Sequence, residues 1–296
     1  MLRQRIITAI ILLIILAAVL ASPWTMAWPV FLAIVCGLAT WEWLRMTSRP
    51  YPLVAWVAGA LITAGLIAQG YLWIGDVSGS QALQTPVNPP QASDLRLFLI
   101  SIAVSSLVWL LVVPVKVGRA QVHSTKGLAR WGLFAPVCLY ASWGALVLWM
   151  MQGGIWLVVS MLALVWIADI FAYFGGKRWG QTKLALTISP GKTREGALTG
   201  LAGVIAWMVG TAFIDGSYAQ QVLLLHGWSM LVLIAAVLGG VSIMGDLFES
   251  LLKRQVGIKD SSALLPGHGG VLDRIDAVIA VVPLAFLITS AKLFQS

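Results

Sequence analysis

Nine apolar stretches, each about as long as a membrane-crossing helix, divide this chain and leave few folds open to it. They run over roughly 6–22, 25–45, 52–74, 96–115, 131–152, 155–175, 197–214, 228–248 and 272–292. A helix needs about 20 mostly apolar residues to cross a hydrocarbon core of ~30 Å. Of the 296 residues, 59% are hydrophobic and only 10% are charged, whereas soluble domains carry about 25% charged residues. Most of the surface must therefore face lipid. The expected fold is an all-α polytopic membrane protein of about nine transmembrane helices.

Charge placement orients the spans. With a cytoplasmic N-terminus, every basic residue except Arg96 and Lys292 falls on the inner side. The inner set is Arg3, Arg5, Arg45, Arg49, Lys116, Arg119, Lys126, Arg130, Lys177, Arg178, Lys183, Lys192, Arg194, Lys253, Arg254, Lys259 and Arg274. Such asymmetry is what sets membrane orientation, and an odd count of spans puts the C-terminus on the exterior. It also accounts for the net charge of +8 without a nucleic-acid partner. Beyond topology, basic loops favour anionic lipid or phosphate.

The segment Arg3–Ser22 has a basic start and small residues near Ala21, and it reads as an uncleaved signal-anchor. Cys36 and Cys138 lie inside apolar runs, so packing is expected rather than a disulfide. The stretch Gly75–Leu95, rich in Ser, Gln, Asn and Pro, reads as an exterior loop. Gly153-Gly154 is the whole link between spans five and six, which predicts a tight helical hairpin. Trp24, Trp28, Trp41, Trp43, Trp131 and Trp228 stand near span ends, where indoles anchor at headgroup level. The expected organisation is an N-terminal region over 1–150 with about five transmembrane helices. A second transmembrane region over 151–296 follows, with cytoplasmic loops 176–196 and 249–271. A further polar inner segment, 116–130, precedes span five.

The carboxylates are unevenly placed. Asp76, Asp94 and Asp215 are exterior, and the others crowd the inner side. Asp169 stands near the inner end of span six, Asp246 and Glu249 close span eight, and Asp273 and Asp276 open span nine. An acid at membrane depth costs roughly 2.5–3.5 kcal/mol on insertion scales and persists where a cation or proton path compensates it. Residues three apart on a helix share a face, about 5–6 Å apart. Asp273 and Asp276 therefore repel each other unless a positive charge lies between them. The helix macrodipole offers only about 0.3–1 kcal/mol. A divalent ion offers more, and oxygen-only ligands suit Mg²⁺, which takes one or two carboxylates plus water and substrate phosphate. Lys192 and Arg194 lie directly before span seven, and Lys253, Arg254 and Lys259 lie between the acidic pairs. Acids interleaved with fixed cations make a site for a polyphosphate. Gly267–Gly270 adds backbone N–H groups for a close phosphate approach. The segment LTISPGKT has Leu186 where a P-loop needs its first glycine, so a P-loop is excluded.

The stretch from Ser250 to Asp276, SLLKRQVGIKDSSALLPGHGGVLDRID, resembles the signature of the phosphatidate cytidylyltransferases, the membrane enzymes that make CDP-diacylglycerol. The matching residues are Ser250, Lys253, Arg254, Lys259, Asp260, His268, Gly269, Gly270, Asp273, Arg274 and Asp276. The segments GDLFES, ISPGKTREG and ADIFAYFGGKRWG are similar to that family as well, so the resemblance covers roughly 165–276. It implies transfer of the cytidylyl group of CTP to phosphatidate, with Mg²⁺, alone or with a second cation. It implies Asp246, Asp273 and Asp276 as metal-binding acids. Lys192, Arg194, Lys253, Arg254, Lys259 and Arg274 would then hold the triphosphate or lipid phosphate, joined by Ser250, His268, Gly269 and Gly270. Lys259 and Arg274 count with the three aspartates as the catalytic set. The expected partners are CTP, phosphatidate in the bilayer and membrane lipids. A homodimer is an expectation from the resemblance alone. The expected location is a bacterial-type inner membrane with the site on the cytoplasmic face. A cation- or proton-coupled transporter fits less well, because the polar groups crowd one face and no inverted repeat is visible. Another lipid-linked phosphotransferase would carry a longer array of aspartates than the single DRID.

Overall fold

Within lipid the backbone must satisfy its own hydrogen bonds, and a helix does so within one segment. The computed structural model describes residues 2–48, 51–74 and 92–290. Arg49, Lys292, most of the expected exterior loop and the end of the ninth apolar stretch lie outside the described residues. The helices are α1 (Leu2–Leu20), α2 (Ala27–Thr47), α3 (Pro52–Ile74) and α4 (Ala92–Leu107). A π-helical turn, Val108–Val112, carries α4 into α5 (Val113–Gly118). There follow α6 (Leu128–Trp179), α7 (Arg194–Thr211), α8 (Tyr218–Gln255) and α9 (Leu272–Thr289).

Among the described residues, five helical stretches are long and apolar enough to cross a membrane: Ala27–Thr47, Pro52–Ile74, Ser93–Gly118, Leu128–Trp179 and Tyr218–Gln255. At 52 residues, α6 would be about 78 Å long if straight, far more than one crossing needs. It breaks at Gly154, whose φ of 69° and ψ of −167° are open to glycine and costly for other residues. The break stands at the expected Gly153-Gly154 link. Likewise α8 breaks at Gly227, just before the eighth apolar stretch.

The helical expectation needs one amendment. Within the loop 176–196, Lys183–Ala185 (β1) and Ser189–Thr193 (β2) form an antiparallel hairpin, with Lys183 opposite Thr193 and Ala185 opposite Ser189.

The chain divides into two compact units. The first comprises Met1–Ser101, Lys126–Val147 and Asp260–Arg274. Its core is aromatic: the Trp73 ring lies 5.6 Å from that of Phe98 and 5.3 Å from that of Trp143, and all three are buried. Two indoles expected at headgroup level pack inside instead, with Trp41 and Trp43 buried. A third, Trp28, is buried too and donates from Nε1 to the Leu146 carbonyl at 3.1 Å. A helix offers an indole an interior carbonyl as readily as a headgroup when another helix lies within reach. Trp24 and Trp228 are exposed, as anchors would be.

The second unit comprises Ile102–Thr125, Leu148–Lys259 and Ile275–Ser296. Here α7 lies directly on the last part of α6. A Cβ at Gly196 would stand 2.7 Å from the Ala172 carbonyl oxygen, and one at Gly200 2.9 Å from that of Ala168. Small residues allow this backbone approach where lipid supplies no hydrophobic drive. Both sides of the Gly154 break meet Tyr218. The Trp149 ring lies 5.6 Å from the tyrosine ring, and Ser160 Oγ accepts the Tyr218 N–H at 2.9 Å.

Candidate active site

The hairpin and the start of α7 form one rigid piece. Thr193 ends β2 in an extended conformation and caps α7, its Oγ1 accepting the Gly196 N–H at 3.1 Å. The neighbouring Glu195 reaches back, and its carboxylate accepts the Gln181 and Thr182 N–H groups at 3.1 Å. These bonds hold the Glu195 carboxyl below its ordinary range. Its own backbone N–H contributes most, desolvation opposes, and the Thr182 and Gln181 amides add to the lowering. The result fixes β2 and with it Lys192.

On the other side of this site, α8 touches α9 at a glycine. A Cβ on Gly245 would stand 2.7 Å from the Asp276 carbonyl oxygen and 2.9 Å from Ala280 Cβ. The next residue, Asp246, takes the Lys192 ammonium on Oδ2 at 2.6 Å and the Ser250 hydroxyl on Oδ1 at 3.3 Å. Asp276 lies within electrostatic reach of Asp246, Lys192 and Asp169. Four chain segments thus bring three carboxylates and a lysine into one electrostatic neighbourhood. The side chains of Lys192 and Asp246 keep 26% and 32% of their surface open, so a polar ligand can reach them.

The loop Asp260–Val271 belongs to the first unit and has its own carboxylates. Asp273 was expected to hold a metal. Its Oδ2 accepts the Gly270 N–H at 2.7 Å and the Ser261 N–H at 3.0 Å, with Ser261 Oγ also 3.0 Å away. The Gly270 N–H, expected to face phosphate, is therefore committed within the loop. Gly269 has φ of 83°, and a Cβ there would lie 2.5 Å from Asp273 Oδ2. A Cβ on Gly270 would collide with Ser261 Oγ and Glu42. Arg274 donates to the His268 carbonyl at 2.8 Å, while His268 Nδ1 is buried with no hydrogen-bond partner.

Two other expected phosphate ligands, Lys253 and Arg254, have protein partners. Lys253 forms an ion pair with the buried Glu249 one turn before it. Arg254 donates from Nε to the Ile188 carbonyl at 3.2 Å and from Nη1 to that of Ile258 at 3.4 Å, tying α8 to the hairpin. Arg194 and Lys259 are exposed. Among the described residues, no group of three or more His, Cys, Asp or Glu side chains is arranged to hold a metal.

The model of the cytidylyltransferase family matches residues 3–291, nearly the whole chain. The chain belongs to the cytidylyltransferase family. Among curated members of that family, the phosphatidate cytidylyltransferase of Pseudomonas aeruginosa is 36% identical over 288 residues, covering 96% of this chain and 95% of that protein. That of Haemophilus influenzae is 33% identical over 299 residues, covering 96% of each chain. That of Brucella abortus is 43% identical over 171 residues, 56% of this chain and 58% of that protein.

One residue of this family member escaped the sequence reading. Glu42 is fully buried in α2. Its Oε1 accepts from Ser262 Oγ and, at 3.0 Å, from the Val271 N–H; its Oε2 accepts the Leu272 N–H at 2.6 Å and faces Ser261 Oγ at 3.1 Å. The signal was a lone acid in the apolar run around TWEWLRM.

Proposed function

We propose that this chain transfers the cytidylyl group of CTP to phosphatidate, forming CDP-diacylglycerol and releasing pyrophosphate. The observation that carries the reading to specific residues is the Lys192–Asp246 pair at 2.6 Å with Asp276 in its field. Family membership supplies the reaction class, and the relatives named above supply the acceptor. An oxygen of the phosphatidate phosphate attacks the α-phosphorus of CTP. The new P–O bond replaces the bond to the β-phosphate, and pyrophosphate leaves with its electron pair. A phosphate monoester is largely ionised at neutral pH, so no strong base is required.

Both substrates are anions, and Lys192 supplies fixed positive charge where they meet. Asp246 aims that ammonium, Ser250 steadies Asp246, and the Glu195 cap keeps β2 in place. Catalysis in this reading is positioning and charge neutralisation. The donor set fits Mg²⁺, which takes one or two carboxylates and leaves other positions for water and phosphate. Asp246 and Asp276 would hold it, and it would neutralise the triphosphate and polarise the α-phosphorus. Asp273 enters the reading as the acid that shapes its loop. The exposed Arg194 and Lys259 stand as further phosphate contacts.

The same reading keeps nine spans, a cytoplasmic N-terminus and an exterior C-terminus in a bacterial inner membrane. The distribution of Lys and Arg supports that orientation. The site then opens to cytoplasmic CTP, and the diacyl chains stay in the bilayer. A homodimer is part of the proposal on family grounds. The test is direct: membranes containing the protein should convert labelled CTP and phosphatidate to CDP-diacylglycerol, and EDTA should abolish the conversion. Product no higher than in control membranes rejects the assignment, and EDTA-insensitive turnover rejects the metal.

A further inference from the structure

An ionisable side chain inside a membrane segment is costly and persists for a reason. Glu42 is fully buried, and the cluster of Lys192, Asp246 and Asp276 makes no use of it. Its surroundings show what it does. Each carboxylate oxygen faces two donors, and all four belong to one short stretch of chain: the hydroxyls of Ser261 and Ser262 and the backbone N–H groups of Val271 and Leu272. Ser261 and Ser262 follow the start of the loop, and Val271 and Leu272 close it. Leu272 is also the first residue of α9, and backbone N–H groups at a helix start have no partner within the helix. Glu42 therefore ties both ends of the loop to α2 and caps α9.

Two further features belong to the same clamp. Arg45, one turn after Glu42 on α2, donates from Nη2 to the Ser261 carbonyl. Gly270 sits where any side chain would collide with Ser261 Oγ and Glu42, so the loop closes onto the carboxylate without room to spare. The Ser261 hydroxyl has one proton and lies 3.1 Å from Glu42 and 3.0 Å from Asp273. It links the clamp to the aspartate that folds the loop internally.

We infer that Glu42 is a positioning residue for the reaction: it fixes the loop Asp260–Val271 and the first turn of α9, the helix that carries Asp276. The inference rests on the cytidylyl-transfer reading. A carboxylate is required because each of its oxygens accepts a backbone N–H, Val271 on Oε1 and Leu272 on Oε2. A glutamine in either orientation turns its NH₂ group, which cannot accept, toward one of these N–H groups. Loop displacement on the scale of 1 Å is enough to cost about 100-fold in rate.

The experiment compares the wild type, Glu42→Gln, Ser262→Ala and the double variant in detergent micelles, following turnover of CTP and phosphatidate and limited trypsin cleavage after Lys259. In Glu42→Gln, kcat should fall at least about tenfold, KM for CTP should stay within about threefold, and cleavage after Lys259 should accelerate. The double variant should lose no more than Glu42→Gln alone, because both changes break one clamp. Unchanged kcat in Glu42→Gln, or a loss seen only in KM, overturns the inference while an active wild type leaves the cytidylyl reading standing. An inactive wild type rejects both. If Glu42→Gln does not insert, Ser262→Ala decides: a kcat loss of about threefold or more with KM retained supports the clamp, and wild-type kcat and cleavage overturn it.

Discussion

Lys192 of β2 and Asp246 of α8 meet at 2.6 Å, joining a hairpin of the 176–196 loop to the helix that lies beyond α7 in the chain. The partly open pair is not a stability device, since exposed ion pairs contribute about 0–1 kcal/mol. Its value is in aiming a cation. Lys192→Ala should leave insertion and thermal stability close to wild type and lower turnover on the order of 100-fold. Retention of a third or more of the activity would remove Lys192 from the site.

Gly245 decides how closely α8 approaches α9. A methyl group there would stand 2.7 Å from the Asp276 carbonyl oxygen, and backbone cannot yield cheaply. Gly245→Ala should destabilise by about 1–3 kcal/mol, the usual range for overpacking. It should lower turnover beyond the loss of folded protein, because it separates Asp246 from Asp276. Thermal unfolding in micelles paired with specific activity tests both parts, and wild-type values for both would show that the contact is not limiting.

The pH response of the hairpin follows from Glu195. Its folded carboxyl titrates below the ordinary value of 4.5, with its own backbone N–H the largest cause. A depressed folded value means the stabilisation is present above that ordinary value and is lost as pH falls through the folded one. Amide exchange at Gln181 and Thr182, corrected for intrinsic rates, should show protection at pH 6 that declines below 4.5. Glu195→Gln should remove that decline. Protection that is flat with pH in the wild type would separate Glu195 from these amides.

The helices were legible because apolar runs of membrane length leave the backbone little else to do. Lys192 and Asp246 drew notice as charges beside such runs, but nothing in their spacing announced that they pair at 2.6 Å. The hairpin was not, since SPGKT has no apolar–polar alternation and reads as a turn. Trp28 was misplaced because a position near a span end does not reveal whether an indole meets lipid or a carbonyl 118 residues away. Glu42 was passed over because its four donors lie more than two hundred residues along the chain. Lys253 could have been read: Glu249 precedes it by four residues, the spacing of a helical ion pair.

The central claim is that cytidylyl transfer depends on the acids gathered around Lys192. Purified wild type and Asp276→Asn, both inserted and monodisperse, should be assayed side by side with labelled CTP and phosphatidate. The expected result is one pyrophosphate released per CDP-diacylglycerol in the wild type and a loss on the order of 100-fold or more in the variant. Near-normal turnover in Asp276→Asn would contradict the account.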